Sequence, residues 1–230
     1  MAKQNVDDVA VNVGDVYTRT EQFVDKNRKS FAIGLGAIAI AFIGFFAYQY
    51  LYKNPREKEA SNALWKAQQW MEMDSTALAL SGDGEFDGFE AIIENYSGTK
   101  AARLAHYYAG IITRDNGEYE VALNHFKEAD FGDETVGVLA IGNAGDMYVQ
   151  LENLEEGAKW LEKAAREASS AESKDFLAPY YSLKAAKVYM ELGKNDKAKG
   201  LLQQVTDNYD SKSQEYGEAA KLLAMLKAQD

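Results

Sequence analysis

The sequence predicts an all-α protein in which a single N-terminal transmembrane helix is followed by an α-solenoid of helical hairpins. Three observations carry this. Ala, Leu, Glu and Lys are abundant and only two prolines, Pro55 and Pro179, occur in 230 residues, so little interrupts helix propensity. Phe31 to Tyr52 contains no charged side chain. Beyond it, three segments superpose without a gap, which is the signature of a repeat architecture.

In chain order, residues 1–30 read as a tail with a short amphipathic juxtamembrane helix, in which Val16, Phe23 and Val24 fall at helical spacing beside polar residues. Residues 31–52 form the span. As helix they reach about 33 Å, matching a hydrocarbon core of about 30 Å. The apolar stretch is too long, and begins too late, for a cleaved signal peptide. Tyr48, Tyr50 and Tyr52 cluster at one end, where amphipathic rings sit among headgroups, and Pro55 is expected to close the helix. Ala32, Gly36, Ile40 and Gly44 form a strip that would let another helix approach closely, although Gly and Ala are common in spans generally. Lys26, Arg28 and Lys29 precede the span, and Lys53, Arg56 and Lys58 follow it. Charge therefore leaves the orientation nearly balanced, leaning towards a cytoplasmic N-terminus.

Residues 53–230 read as one helical-repeat domain. "AGIITRDNGEYEVALNHFKEA" from Ala109, "AGDMYVQLENLEEGAKWLEKA" from Ala144 and "AAKVYMELGKNDKAKGLLQQV" from Ala185 align at intervals of 35 and 41 residues, the extra length falling around "SSAESKD". Small residues coincide at Gly110, Gly145 and Ala186 and again at Ala122, Gly157 and Ala198; large apolar ones coincide at Phe126, Leu161 and Leu202. Small positions let antiparallel helices approach and large ones fill the space between them. The repeats are placed at about 103–136, 138–171 and 179–212, preceded by a degenerate hairpin at 57–96 and closed by a capping helix at 213–228. The pattern resembles the tetratricopeptide repeat, with turn glycines at Gly117 and Gly193 and an aromatic at Tyr119. Two departures stand out: no proline follows each copy, and Glu152 occupies the turn-glycine position. "ENYSGTKAARL" and "DNYDSKSQEYG" share Asn-Tyr before a helix, so Tyr96 and Tyr209 are expected to close equivalent hairpins.

The charge of −11 repels nucleic-acid phosphates, and no basic stripe interrupts it. Absence of cysteine removes disulfides, thiolate catalysis, cysteine-based zinc sites and a lipid-attached N-terminal cysteine. His106 and His125 are the only histidines, each read as an ordinary repeat side chain, and no phosphate loop, serine elbow or zinc motif accompanies them. The domain is therefore expected to bind rather than catalyse, without catalytic residues, cofactor or metal. "DGEFDGFEAIIE", Asp83 to Glu94, spaces Asp83, Glu85, Asp87, Gly88 and Glu94 like a calcium loop. Ser81 and Gly82 interrupt the entering helix, and no second loop pairs with it, so a calcium-binding module is the weakest of three readings. The segment is expected to be the turn of the first hairpin, with Asp87 capping a helix in which Phe89, Ile92 and Ile93 face inward and Glu90 completes the capping box.

Repeat register places Leu104, Tyr107, Ile111 and Arg114, then Leu139, Gly142, Asp146 and Val149, then Tyr180, Leu183, Lys187 and Met190 on the concave face of the first helices. Most are apolar or aromatic, which suits a hydrophobic partner segment unless neighbouring helices cover them. A clamp for acidic C-terminal tails would need basic residues and asparagine where Tyr107, Ile111, Asn143, Tyr180 and Lys184 stand, and only two of these five fit.

A short tail, one span and a repeat domain of this size resemble the YfgM family, the ancillary subunit of the bacterial Sec translocon. "EQFVDKNRKSFAIGLGAIAIAFIGFFAYQYLY" followed at once by "EKEASNALWKAQQ" carries that similarity, and "GDGEFDGFEAIIENYSGTKAARLAHYYAG" is similar to the Bacteroidota branch of anchored tetratricopeptide proteins. The resemblance implies an inner-membrane protein with a cytoplasmic N-terminus and a periplasmic domain. It further implies partnership with SecYEG and a PpiD-like chaperone, near emerging secretory or outer-membrane proteins. The alternative is an envelope scaffold for outer-membrane assembly or cell division.

Overall fold

The computed structural model describes residues 26–129, 131, 135–171 and 173–228, and every regular element among them is helical. The amphipathic helix expected around Val16, Phe23 and Val24 lies outside the described residues. The chain divides into two units, Met1–Pro55 and Arg56–Asp230.

The first unit contains α1 (Arg28–Tyr48) and a π-helical turn, Gln49–Lys53. No residue of α1 is buried. Phe31, Ile33, Leu35, Ile38, Phe42 and Phe45 are all exposed, and a helix apolar on every side belongs in a non-aqueous environment. Its best window has a mean hydropathy of 2.2, so the helix is long and apolar enough to span a membrane. Ala32, Gly36, Ile40 and Gly44 are exposed on it, with open space above Gly36 and Gly44. Steps of four residues drift by about 40° each, so these positions spread over a broad face rather than a narrow strip. Pro55 does not close a helix, contrary to the expectation from sequence. The Asn54 N–H bonds back to the Gln49 carbonyl in the π turn, and α2 (Asn54–Glu72) takes Pro55 into its first turn, where a missing N–H costs least.

In the second unit α2 is followed by α3 (Thr76–Ser81), α4 (Phe89–Asn95), α5 (Lys100–Asp115), α6 (Tyr119–Glu128), α7 (Thr135–Gln150), α8 (Leu154–Ala168), α9 (Lys174–Glu191), α10 (Asn195–Asn208) and α11 (Gln214–Lys227). From α3 onwards each helix packs on the next, and α9 also meets α11. This nearest-neighbour packing defines a solenoid. The repeat logic read from small and large residues holds in detail. A Cβ on Gly110 would lie 2.8 Å from the Phe126 ring, and one on Gly145 would lie 2.9 Å from Leu161. Gly157 faces the Val149 side chain and the Gly145 carbonyl, while Ala186 and Leu202 are fully buried in one core.

The hairpin turns share one backbone motif. Gly117, Glu152 and Gly193 have φ of 83°, 59° and 71°, in the left-handed region. Each donates its N–H to a carbonyl three residues back, and the next residue donates five residues back: Glu118 to Thr113, Asn153 to Tyr148 and Lys194 to Tyr189. These are the paired bonds of a Schellman helix end. Asp74, with φ of 57°, repeats the motif through Met71, and Ser75 donates to Trp70.

That fourth copy corrects the first hairpin. Its turn is at Asp74–Ser75, not within Asp83–Glu94. Its second helix is broken into α3 and α4, joined by residues 82–88. Gly82 and Gly88 back onto one another so closely that a Cβ on Gly88 would lie 2.4 Å from the Leu80 carbonyl oxygen. Gly88, not Asp87, precedes α4, and no side chain caps it; the Gly88 carbonyl accepts the first helical bond from Ile92. Phe89 and Ile92 are buried as expected, and Ile93 is half-buried. Two boundaries also shift. Thr99 caps α5 through Ala102, so the first repeat starts earlier than 103. α9 begins at Lys174 and carries Pro179 inside it, so part of "SSAESKD" becomes its first turn. Tyr96 and Tyr209 end α4 and α10, matching the equivalence read from their flanks.

Candidate functional site

The first helices of successive hairpins, α2, α5, α7, α9 and the capping α11, are joined by a ladder of polar contacts. Gln68 Nε2 donates to Tyr108 Oη at 3.2 Å, linking α2 to α5. Arg114 Nη1 donates to Asn143 Oδ1 at 3.0 Å, linking α5 to α7, and Asn143 is held in place by donating to the Leu139 carbonyl. Lys184 Nζ reaches both oxygens of Asp146, at 2.5 and 2.6 Å, linking α9 to α7. Lys187 Nζ pairs with Glu218 Oε1 at 2.7 Å, linking α9 to α11. Each pair is partly exposed and contributes about 0.2–1 kcal/mol, so the ladder sets register more than stability.

The residues expected to line this face separate into two groups. Leu104, Leu139, Ile111 and Met190 are half-buried against the cores on either side. Val149 turns its Cγ2 towards Gly157 in α8, within its own hairpin. Leu183 is 5% exposed and belongs to the core, so it is not available to a partner. Gly142 has no room for any side chain, because a Cβ would lie 2.1 Å from the Tyr181 ring. The exposed members are Tyr180 and Lys187, with Arg114, Asp146 and Tyr107 half-buried beside them. Sequence register pointed to a mainly apolar lining. In the structure the apolar side chains at these positions pack partly or wholly on neighbouring helices, and the two exposed positions carry an aromatic and a charged side chain, Tyr180 and Lys187.

Electrostatically the face is close to neutral, because Asp146 and Glu218 answer Lys184 and Lys187, and Asp115 answers Arg114. The Lys184 ammonium also lies 5.3 Å from the centre of the Tyr180 ring. Burial pushes the Tyr107 hydroxyl above its ordinary range, and it pushes Tyr181 further in the same direction, aided by Asp146. Both rings therefore stay neutral; half-buried Tyr107 offers its hydroxyl as a hydrogen-bond partner, whereas Tyr181 is buried in the core. Asn143 and Lys184, the two positions that fit a carboxylate clamp, are already held by Arg114 and Asp146. Gln68, Tyr108, Tyr181 and Glu218 were not singled out from sequence, since only the packing of neighbouring hairpins brings them to this row.

The two histidines are not independent side chains. His106 Nδ1 lies 3.0 Å from His125 Nδ1 across the α5–α6 hairpin. Among the described residues no group of three or more acidic or histidine side chains could hold a metal ion. In the calcium-like loop, Asp83 Oδ1 accepts from the N–H groups of Glu85 and Phe86, which hold its carboxyl below the usual range. That carboxylate folds the loop back on itself. No family model, curated protein or solved structure matches the chain.

Proposed function

We propose that this is a non-enzymatic, single-pass membrane protein whose helical-repeat domain serves as an accessory subunit of the Sec translocon. On this reading the N-terminus is cytoplasmic, the tetratricopeptide-like domain is periplasmic, and the first-helix face holds a PpiD-like chaperone or an emerging secretory chain. The observation that carries it is the ladder face itself. Neutral overall, with Tyr107 and Tyr180 beside paired charges, it suits an amphipathic segment that exchanges hydrogen bonds and buries apolar side chains on the rings. The fully exposed apolar α1 supports membrane anchoring, and the resemblance of the anchor and of the "GDGEFDGFE" region to the YfgM family supports the translocon.

Purification of the tagged full-length protein in mild detergent, followed by mass spectrometry, tests this. SecYEG and a periplasmic chaperone are expected, with the chaperone lost from the Tyr180→Ala/Lys187→Ala variant. Recovery of division or outer-membrane machinery without SecYEG would overturn it in favour of an envelope scaffold. Orientation is checked separately: the chain has no cysteine, and Ser211 is exposed, so Ser211→Cys should react with an impermeant maleimide from the periplasmic side.

A further inference from the structure

A second surface lies on the other helices of the hairpins. Between α8 and α10, floored by α9, a depression of about 560 Å³ is lined by Glu156, Lys159, Trp160, Glu162, Lys163, Arg166, Tyr189 and Lys197. A second hollow of about 410 Å³ shares Glu162 and Arg166 with it and continues past Ser169, Ser182, Gln204 and Asn208. Together they form one groove along α8.

The charge of this groove opposes that of the chain. Four cations and two carboxylates line its first part, a local balance of +2 in a protein of −11. The carboxylates are committed: Glu156 pairs with Lys159 at 2.7 Å, and Glu162 Oε2 accepts from Tyr189 Oη at 2.6 Å. Among the described residues Lys163, Arg166 and Lys197 have no ion-pair partner. The Lys163 ammonium sits 5.0 Å from the Trp160 ring centre and that of Lys197 sits 4.8 Å from Tyr189, so both cations are held over aromatic faces beside the groove. Glu155 and Glu162 temper this charge without forming an ion pair to these three cations, and an excess of cations beside a half-buried indole recognises an anion that also carries apolar groups.

We propose that the α8–α10 groove binds an acidic, extended peptide segment of a partner protein, with Lys163, Arg166 and Lys197 taking its carboxylates and Trp160 an adjacent apolar side chain. A peptide fits better than a lone anion, because the groove runs on from the cations past Gln204 and past Ser169 and Asn208, which donate to the Arg166 and Gln204 carbonyls and present their side-chain oxygens as acceptors for main-chain N–H groups. Nucleic acid is disfavoured by the net charge around it. This site is separate from the first-helix face and does not depend on which complex the protein joins.

The test uses full-length protein in detergent and fluorescence anisotropy of a short fluorescein-labelled peptide of Asp, Glu and Leu, compared with the same peptide carrying Asn and Gln. Saturable binding of the acidic peptide alone is expected. It should weaken about tenfold or more in Lys163→Gln/Arg166→Gln/Lys197→Gln, through loss of three charge-assisted contacts. Trp160→Phe should also weaken it, while Tyr180→Ala/Lys187→Ala on the opposite helices should not. A circular-dichroism melt confirms that each variant is folded. Equal binding of the neutral peptide, unchanged affinity in the triple variant, or displacement of the peptide by anionic phospholipid nanodiscs would overturn the proposal.

Discussion

His106 and His125 face one another with their Nδ1 atoms 3.0 Å apart, so in the neutral pair one ring donates to the other. Burial lowers the proton affinity of both rings, and for His106 the neighbouring His125 lowers it further; Glu128 and Glu90 only partly oppose this. In the unfolded chain each histidine titrates near 6.5. Below that pH the unfolded state binds more protons than the native state, so the stability present above it is lost as pH falls through the lowered native values. Urea midpoints should therefore drop between pH 7.5 and 5.5, and the drop should be smaller in His106→Gln/His125→Gln. Equal slopes in both proteins would contradict the pairing.

Glu152 holds the left-handed turn position that glycine holds at Gly117 and Gly193. A side chain there strains the backbone, and glycine relieves the strain while giving up some unfolded-state restriction. Glu152→Gly is expected to raise stability by about 0.5–1 kcal/mol, and Gly193→Ala to lower it by a similar amount. Chemical denaturation reads both, and the opposite signs are the diagnostic.

Gly142 on α7 packs directly against the Tyr181 ring on α9, with no room for a Cβ between them. Tyr181 is 3% exposed and has nowhere to retreat, so Gly142→Ala should cost about 1–3 kcal/mol by overpacking. Gly200→Ala, where nothing lies within 4 Å, should be neutral or slightly stabilising. If the two variants melt alike, the tight contact is not formed in solution.

Glu57 caps a helix far along the chain. Its two carboxylate oxygens accept from the Lys100 and Ala101 N–H groups at 3.0 and 3.1 Å, at the start of α5. Loss of this anion from a helix N-terminus in Glu57→Ala should cost about 1–2 kcal/mol. Hydrogen exchange should locate the change at the first turn of α5, and unaltered protection there would count against the cap.

The apolar run at Phe31–Tyr52 and the matched small and large positions of the three hairpins were legible because they are local. A residue type repeated at fixed spacing states its own burial. The positions Gly110, Phe126, Gly145 and Leu161 illustrate this, since each aligned pair meets in the structure. The first hairpin was misread for the same reason. "DGEFDG" looks like a turn, whereas the real turn uses Asp74 without any glycine, and only its backbone bonds to Met71 and Trp70 reveal it. The candidate face was half legible. Register found Tyr107, Arg114, Asp146, Tyr180 and Lys187, but it also counted Leu183 and Val149, whose side chains are consumed by packing.

By itself the sequence determined an all-helical chain, an apolar helix long enough for a membrane and an array of hairpins, because composition and periodicity act within one element or between neighbours in sequence. Tertiary structure alone decided which side chains meet across hairpins: Arg114 with Asn143, Asp146 with Lys184, Lys187 with Glu218, and the excess of cations gathered between α8 and α10. Helix periodicity fixes which way a residue faces, but not what stands opposite. That second choice sets whether a charge is neutralised within the fold or left for a partner.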